Sequence, residues 1–438
     1  MEAKEFQRRR KRLMDMTGDD SIAIIPTSPV RMRNRDVEYP FRHDSDFYYL
    51  TGFAEPESVA VLIPGRPSGE YVLFCRERDA LMETWNGLRA GLEGAVEKYA
   101  ADDAFPIEDL DDILPGLLGD QERIYYTMGN DPAFDQRVLS WVKHVRDQAR
   151  SGISAPDEFI SLNHILHDMR LYKSRQEIKA MRHAAKISAA AHKRAMQVCR
   201  PGMYEYQVEA ELTHEFMLQG ARSPAYSSIV GGGANSCILH YTDNDAELED
   251  GAVLLIDAGA EYESYASDIT RTFPVNGVFS EAQREVYEIV LNAQLAAIEA
   301  VKPGNHWNDP HEAAVQVITE GLVSLGILKG RVKTLIKEEA YSKYYMHRTG
   351  HWLGMDVHDV GDYKVDGEWR MLEPGMVLTI EPGLYLAPSR GLAKKWWDIG
   401  VRIEDDVLVT KDGYDVLSKD MPKTVDEIEM IMAGARAA

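Results

Sequence analysis

Four acidic residues stand in, or at the end of, apolar strand-like runs: Asp257 in Leu-Leu-Ile-Asp-Ala-Gly, Asp268 in Ser-Asp-Ile-Thr-Arg-Thr-Phe, Glu381 in Leu-Thr-Ile-Glu-Pro-Gly and Glu404 in Val-Arg-Ile-Glu-Asp-Asp. A carboxylate so placed must be paired, hydrogen-bonded or metal-bound, because an unpaired charge out of water is costly. One such acid would cap a turn or meet an arginine; four together call for a shared cation. A second cluster runs from Met346 to Asp359 and holds three of the 13 histidines, His347, His351 and His358, among glycines where the backbone turns. It is not the His-Glu-x-x-His helix of a zinc protease, since no Glu follows His347 or His351. Its spacing points to ligand or catalytic use. His240, in Cys-Ile-Leu-His-Tyr-Thr, is an isolated candidate. Val230-Gly231-Gly232-Gly233-Ala234 lacks the following Lys-Ser/Thr of a phosphate loop and reads as a flexible turn.

Carboxylates with an imidazole and no thiolate suit a hard divalent ion such as Mn²⁺ and admit Co²⁺, Fe²⁺ or Zn²⁺. Four carboxylates carry more charge than one ion needs. Two ions about 3.5 to 4 Å apart, bridged by carboxylates and a hydroxide, would balance that charge and supply a nucleophile at neutral pH. The residues alone describe a dinuclear metallohydrolase.

The elements that must position these groups fall into two textures. Up to about Tyr172, short β-rich runs at Ser21 to Ile25, Phe47 to Tyr49, Val59 to Ile63, Tyr71 to Phe74 and Ile124 to Tyr126 alternate with helical patterns, which reads as a mixed α/β unit. At Ser174-Arg175-Gln176-Glu177 a capping box opens a long Ala-rich helix that Arg200-Pro201-Gly202 stops. The domain boundary is placed there, giving one domain over 1–173 and a second over 174–438. Further helix starts at Ser280 and at Asp309-Pro310, and strand-like runs at Val253 to Ile256, Ile269 to Phe273, Met376 to Ile380 and Val401 to Ile403, make the second half α+β. Residues 354 to 371, rich in Gly and Asp, read as loop.

Composition narrows the class. At about 150 residues per domain, 438 residues hold two or three domains, and 45% apolar with 27% charged residues describes a folded globular chain. The net charge of −22 disfavours a nucleic-acid partner and an anionic membrane surface. Cys75, Cys199 and Cys237 are odd in number and far apart, giving neither a disulfide framework nor a zinc ribbon, so a reducing cytoplasm is expected. The basic N-terminus is not followed by an apolar run, and no stretch reaches the ~18 apolar residues of a spanning helix, so neither export by this route nor a membrane location is expected.

The order Asp257, Asp268, His351, Glu381, Glu404, with the words His-Trp-Leu-Gly, Ile-Glu-Pro-Gly and Arg-Ile-Glu-Asp, closely resembles the pita-bread metallopeptidases, and within them the bacterial aminopeptidase P family of Xaa-Pro aminopeptidases. The N-terminal words Arg35 to Arg42 and Ser45 to Phe53 resemble that family's first domain, which methionine aminopeptidases lack. The resemblance implies an α/β N-terminal domain over 1–173, serving substrate access and oligomerisation, followed by an α+β pita-bread catalytic domain over 174–438. It implies two divalent ions, most suitably Mn²⁺, held by Asp257, Asp268, His351, Glu381 and Glu404, with Asp268 and Glu404 bridging. Glu381 would also carry the proton of the bridging water, and His240 and His358 would stabilise the oxyanion. Arg402 would orient the metal ligands, and His347 and Tyr385 would lie beside the substrate. Trp85, from the N-terminal domain of a neighbouring subunit, would close the site, with Asp36 and Arg150 as further carry-overs. The partners so implied are peptides with proline second and further copies of the chain, as a dimer or tetramer. Prolidase, restricted to dipeptides, is the nearest alternative. A pita-bread peptide-binding module without catalysis is a more distant one, because it would have no use for five buried ligands. Creatinase, which shares the fold without metals, is disfavoured for the same reason.

Overall fold

Alternation of side chains along the N-terminal strands decides which face meets the helices. Ile22 and Ile24, Val59 and Val61, and Val72 and Phe74 all turn into one core, where they meet Leu110, Leu114 and Leu118 at helical spacing and Val138, Trp141 and Val142 of a second helix. The computed structural model, which describes residues 1–437, divides into two units, Met1–Met169 and Arg170–Ala438. The first is built on a six-stranded mixed sheet in the order Asp103–Pro106, Tyr71–Cys75, Val59–Leu62, Ser21–Pro26, Arg123–Tyr125, Glu158–Ile160. Ser21–Pro26 runs antiparallel to Val59–Leu62 and parallel to Arg123–Tyr125. One expectation fails here: Phe47 to Tyr49 is not a strand but lies in the helix Ser45–Thr51. The Asp44 carboxylate accepts the Phe47 N–H at 2.9 Å and Gly52, at φ 67°, closes the other end, so the two caps override the β preference of the aromatic residues.

In the second unit the Ser174 capping box forms with Glu177 and opens the helix Arg175–Val198. The helix at Asp309–Ser324 starts one residue earlier than the proline suggests, with Asn308 as its cap. Two antiparallel hairpins organise the rest. In one, Val253–Asp257 pairs with Thr270–Pro274 so that Asp257 faces Thr270, and Ile229–Gly232 adds on the other side of Val253–Asp257. In the other, Val377–Ile380 pairs with Asp405–Thr410, Ile380 opposite Asp405, which sets Glu381 and Glu404 at the same end of the ladder. A third hairpin pairs Gly383–Leu386 with Ile399–Arg402. The Gly-rich stretch after Val230 is not a flexible turn: it ends the strand Ile229–Gly232 and opens a 3-10 turn over Gly233–Cys237. Residues 354 to 371 are mostly irregular, as expected, apart from a two-residue-a-side hairpin at Lys364–Val365 and Glu368–Trp369.

Candidate metal centre

Strand ends deliver the four carboxylates to one cavity of about 470 Å³, and all of its lining lies between residues 226 and 404 of the second unit. Asp257 ends its strand, Asp268 lies two residues before Thr270, Glu381 follows Ile380, and Glu404 sits between the strands Ile399–Arg402 and Asp405–Thr410. His351 comes from the segment laid along Val377–Ile380, where Thr379 donates to the His351 carbonyl and Glu381 to the Thr349 carbonyl at 2.9 and 2.8 Å. Gly350 permits that approach, since a Cβ there would stand 2.0 Å from the Thr379 carbonyl oxygen.

Carboxylate or imidazole atoms of Asp268, His351 and Glu404 lie within 4.8 Å of one another, close enough to hold one ion. His351 Nε2 stands 3.4 Å from Asp268 Oδ2 and 3.6 Å from Glu381 Oε1. Its Nδ1 faces the Trp352 carbonyl at 2.9 Å, an acceptor only, so in the neutral ring the proton sits on Nδ1 and Nε2 keeps its lone pair for the cavity. Asp257 is met by Arg402 Nη2 at 2.8 Å. The Tyr226 hydroxyl stands 2.6 Å from Asp257 Oδ1 and 2.5 Å from Asp268 Oδ1, one donor between two carboxylates. Glu404 accepts from the Thr270 hydroxyl at 2.6 Å.

These acids outnumber the cations the chain supplies, and their titration reflects it. Burial raises Glu381 to about 7, helped by Asp268 and Asp257 against His351 and Arg402. Burial raises Glu404 as well, with Asp268 and Glu381 adding to it, and burial with the Asp257 charge raises Asp268. Burial would lower His351, but the Asp268 hydrogen bond and the Glu381 charge carry it up to about 9. Only Asp257 is held below the ordinary carboxylate range, against its burial, by Arg402 and Tyr226. A donor set of hard oxygens and one imidazole, short of positive charge where it is most buried, fits divalent ions.

The other predicted residues fall into three groups. His240, His347, His358 and Arg402 line the cavity, and the His358 ring packs edge-on to His351 with centroids 4.3 Å apart. Tyr385 does not line it: it is buried behind His347, its hydroxyl 2.8 Å from His347 Nε2 and accepting from Arg402 Nη1 at 2.9 Å. Burial, with the Arg402 charge, lowers His347 to about 3, so its ring is neutral and accepts a hydrogen bond from the Tyr385 hydroxyl at Nε2. Asp36, Trp85 and Arg150 are exposed residues of the first unit, Trp85 at 77%, on the short helix Ala80–Asn86. Sequence reasoning missed Tyr226, one of 21 tyrosines in an unremarkable Pro-Ala-Tyr-Ser-Ser stretch, and Thr270, whose position opposite Asp257 follows only from strand register.

Known proteins match this arrangement along the whole chain. A model of metallopeptidase family M24 matches residues 179–411, and a model of the aminopeptidase P N-terminal domain matches residues 6–125. The Xaa-Pro aminopeptidase of Escherichia coli (strain K12) is 46% identical over 433 residues, which is 99% of this chain and 98% of that one. The solved structure of Pseudomonas aeruginosa aminopeptidase PepP superposes with a TM-score of 0.99 at 59% identity, covering 100% of this chain and 99% of the other. A zinc-substituted E. coli aminopeptidase P in complex with product gives 0.97 at 46% identity, covering 100% and 99%. With an α/β N-terminal domain followed by an α+β catalytic domain of pita-bread type, the chain belongs to metallopeptidase family M24.

Proposed function

We propose that this chain is an Xaa-Pro aminopeptidase, releasing the first residue of peptides whose second residue is proline, with two divalent ions held by Asp257, Asp268, His351, Glu381 and Glu404. The observation that carries this reading is the convergence of four carboxylates and one imidazole on a single cavity whose lining contains no lysine and few arginines. Mn²⁺ is the best match to these ligands. Bound there, the ions would supply a water-derived nucleophile at neutral pH and polarise the scissile carbonyl.

The chain's own residues divide the remaining work. Asp268 and Glu404, on opposite hairpins, would serve both ions. Glu381, which would hold an ion from the end of its strand, would also take and return the proton of the attacking water. His240 and His358 line the cavity without being among the five ligands and are the candidates for stabilising the oxyanion. An Xaa-Pro bond has no N–H and bears a ring, so extended backbone pairing cannot recognise it. Ile229, Leu239 and the neutral His347 give an apolar wall for that ring. Three cysteines, odd in number and far apart in the sequence, support a role in the reducing cytoplasm. Among the described residues no helix is long and apolar enough to cross a membrane. The exposed Trp85, together with Asp36 and Arg150, would complete the site of a neighbouring copy in a dimer or tetramer.

The test compares kcat/KM for Ala-Pro and Ala-Pro-Ala after metal removal and Mn²⁺ addition. The tripeptide should be preferred, because a dipeptide sets a carboxylate directly behind proline, and Arg402, the one buried arginine at the cavity, is already engaged with Asp257 and Tyr385. A clear preference for the dipeptide would make the enzyme a prolidase with the same ligands.

A further inference from the structure

His240 stands on a stretch with no regular structure of its own. Between the 3-10 turn Gly233–Cys237 and Glu247 the chain forms neither strand nor helix, yet Leu239, His240 and Thr242 all reach the cavity. His240 is exposed, so packing does not fix it. Something else must hold this stretch in place if a histidine on it is to meet a reacting group within hydrogen-bond distance.

We infer that Glu205 is the positioning residue for His240. Glu205 opens the helix Glu205–Leu218, is fully buried, and turns its carboxylate away from solvent into four neutral donors. One oxygen accepts from the Gly232 N–H at 2.7 Å and the Asn235 amide at 3.1 Å. The other accepts from the Tyr241 hydroxyl at 2.7 Å and the Ala246 N–H at 2.9 Å. One side chain therefore grips the stretch before His240, at the residue next to it, and after it. The neighbouring turn of the same helix adds Glu209, which accepts from the Asn244 amide at 2.9 Å. Asn244 in turn receives the Val230 N–H and donates to the Ser228 carbonyl. Asn244 holds a left-handed backbone, φ 48°, which its own side-chain bonds make tolerable. Tyr241 then packs with Ile229, Leu255 and Tyr385, so the side chain beside His240 is fixed at both its ring and its hydroxyl. A buried acid surrounded by neutral donors makes no ion pair that would account for it as a stability device.

The inference rests on the reading of His240 given above, and a double-mutant cycle separates the two. Glu205→Gln replaces one acceptor oxygen by an amide that confronts two donors. It should lower kcat/KM for Ala-Pro-Ala about 10²-fold, the scale of a small misplacement of a reacting group, with bound Mn²⁺ unchanged. In a His240→Ala background the same change should add less than about twofold, because the residue it positions is gone. An equal loss in both backgrounds would overturn the inference while leaving His240 a catalytic residue. A His240→Ala enzyme with normal turnover would remove the role of His240, and with it any route by which Glu205 could act. Should Glu205→Gln fail to fold, Tyr241→Phe keeps the ring and removes one donor. It should give a loss of about 3- to 10-fold that likewise disappears in the His240→Ala background, and a loss that persists there would count against the inference.

Discussion

Glu404 and Asp405 are adjacent in sequence and equally buried, at 1% exposure each, yet they face two different regions. Successive side chains along an extended backbone point to opposite sides. Glu404 turns to the cavity, where its neighbours are other acids and the Thr270 hydroxyl, and it is raised well above its ordinary range. Asp405 turns to the far side, into Arg271 at 2.8 Å, Lys423 at 2.8 Å, Gln294 at 2.7 Å and Ser418 at 2.7 Å. Against its burial, Arg271 and Lys423 bring it down to about 2. Of these two, Asp405 has its cations supplied by the chain and belongs to the architecture, whereas Glu404 stands among other acids and is left for ions the chain does not supply. Asp359, next to His358, is of the first kind, held by Arg170 and Lys173 at 2.6 and 2.9 Å.

That contrast breaks if substitutions at the two positions behave alike. Glu404→Gln should lower turnover by more than about 10³-fold, beyond the loss of one oxyanion donor, reduce bound metal, and leave the metal-free fold no less stable. Metal analysis, rates and urea unfolding check the three parts, and a variant with near-normal turnover and metal content would remove the bridging assignment. Asp405→Asn should do the reverse. It leaves the fully buried Arg271 short of its partner and should cost about 3–5 kcal/mol of unfolding free energy, with turnover per folded, metal-loaded molecule changed little. If this protein lost its metal but not its stability, the division between the two regions would be wrong.

Tyr226 sharpens the comparison from the cavity side. Its hydroxyl holds Asp257 and Asp268 at a fixed separation, and without it the two carboxylates repel. Tyr226→Phe should weaken metal binding by about 10- to 100-fold, the usual cost of losing a group that orients ligands. Titration calorimetry on metal-free protein measures this directly, and unchanged affinity would make the hydroxyl a bystander.

The two kinds of acid were not equally legible in the sequence. The cavity acids could be found because each interrupts or ends an apolar run, a placement with few explanations, and because their order matches a known family. Asp405 follows directly on Glu404 and looks the same in sequence; only the fold, which brings Arg271 and Lys423 beside it, distinguishes them. Long-range partners of this kind leave no local signal. The helix at Ser45–Thr51 was missed for a different reason, its aromatic residues outweighing caps that were present at Asp44 and Gly52. Glu205 carries no local signal either, since its four donors come from residues 27 to 41 positions away.

The smallest effect is a count of protons. Glu381 at about 7 and His351 at about 9 both lie above their ordinary values of 4.5 and 6.5, so the metal-free fold binds more protons than the unfolded chain between those limits. Stability contributed by these two groups is therefore present at low pH and falls as pH rises through about 9. Metal must displace the same protons. Binding should therefore release protons at neutral pH, from Glu381 and His351 and from the raised Glu404 and Asp268 as well, and fewer as pH rises. Apparent affinity should accordingly rise with pH and level off above about 9, and the pH dependence of stability should flatten once metal is saturating. Asp405, lowered to about 2, adds stability that is lost only in acid, as pH falls from the ordinary carboxylate range toward 2, so above about pH 5 it leaves both curves unchanged. Calorimetry in buffers of different ionisation enthalpy counts the protons. Binding that released none between pH 6 and 8 would mean that the cavity acids are already charged without metal, and the distinction between the two regions would rest on geometry alone.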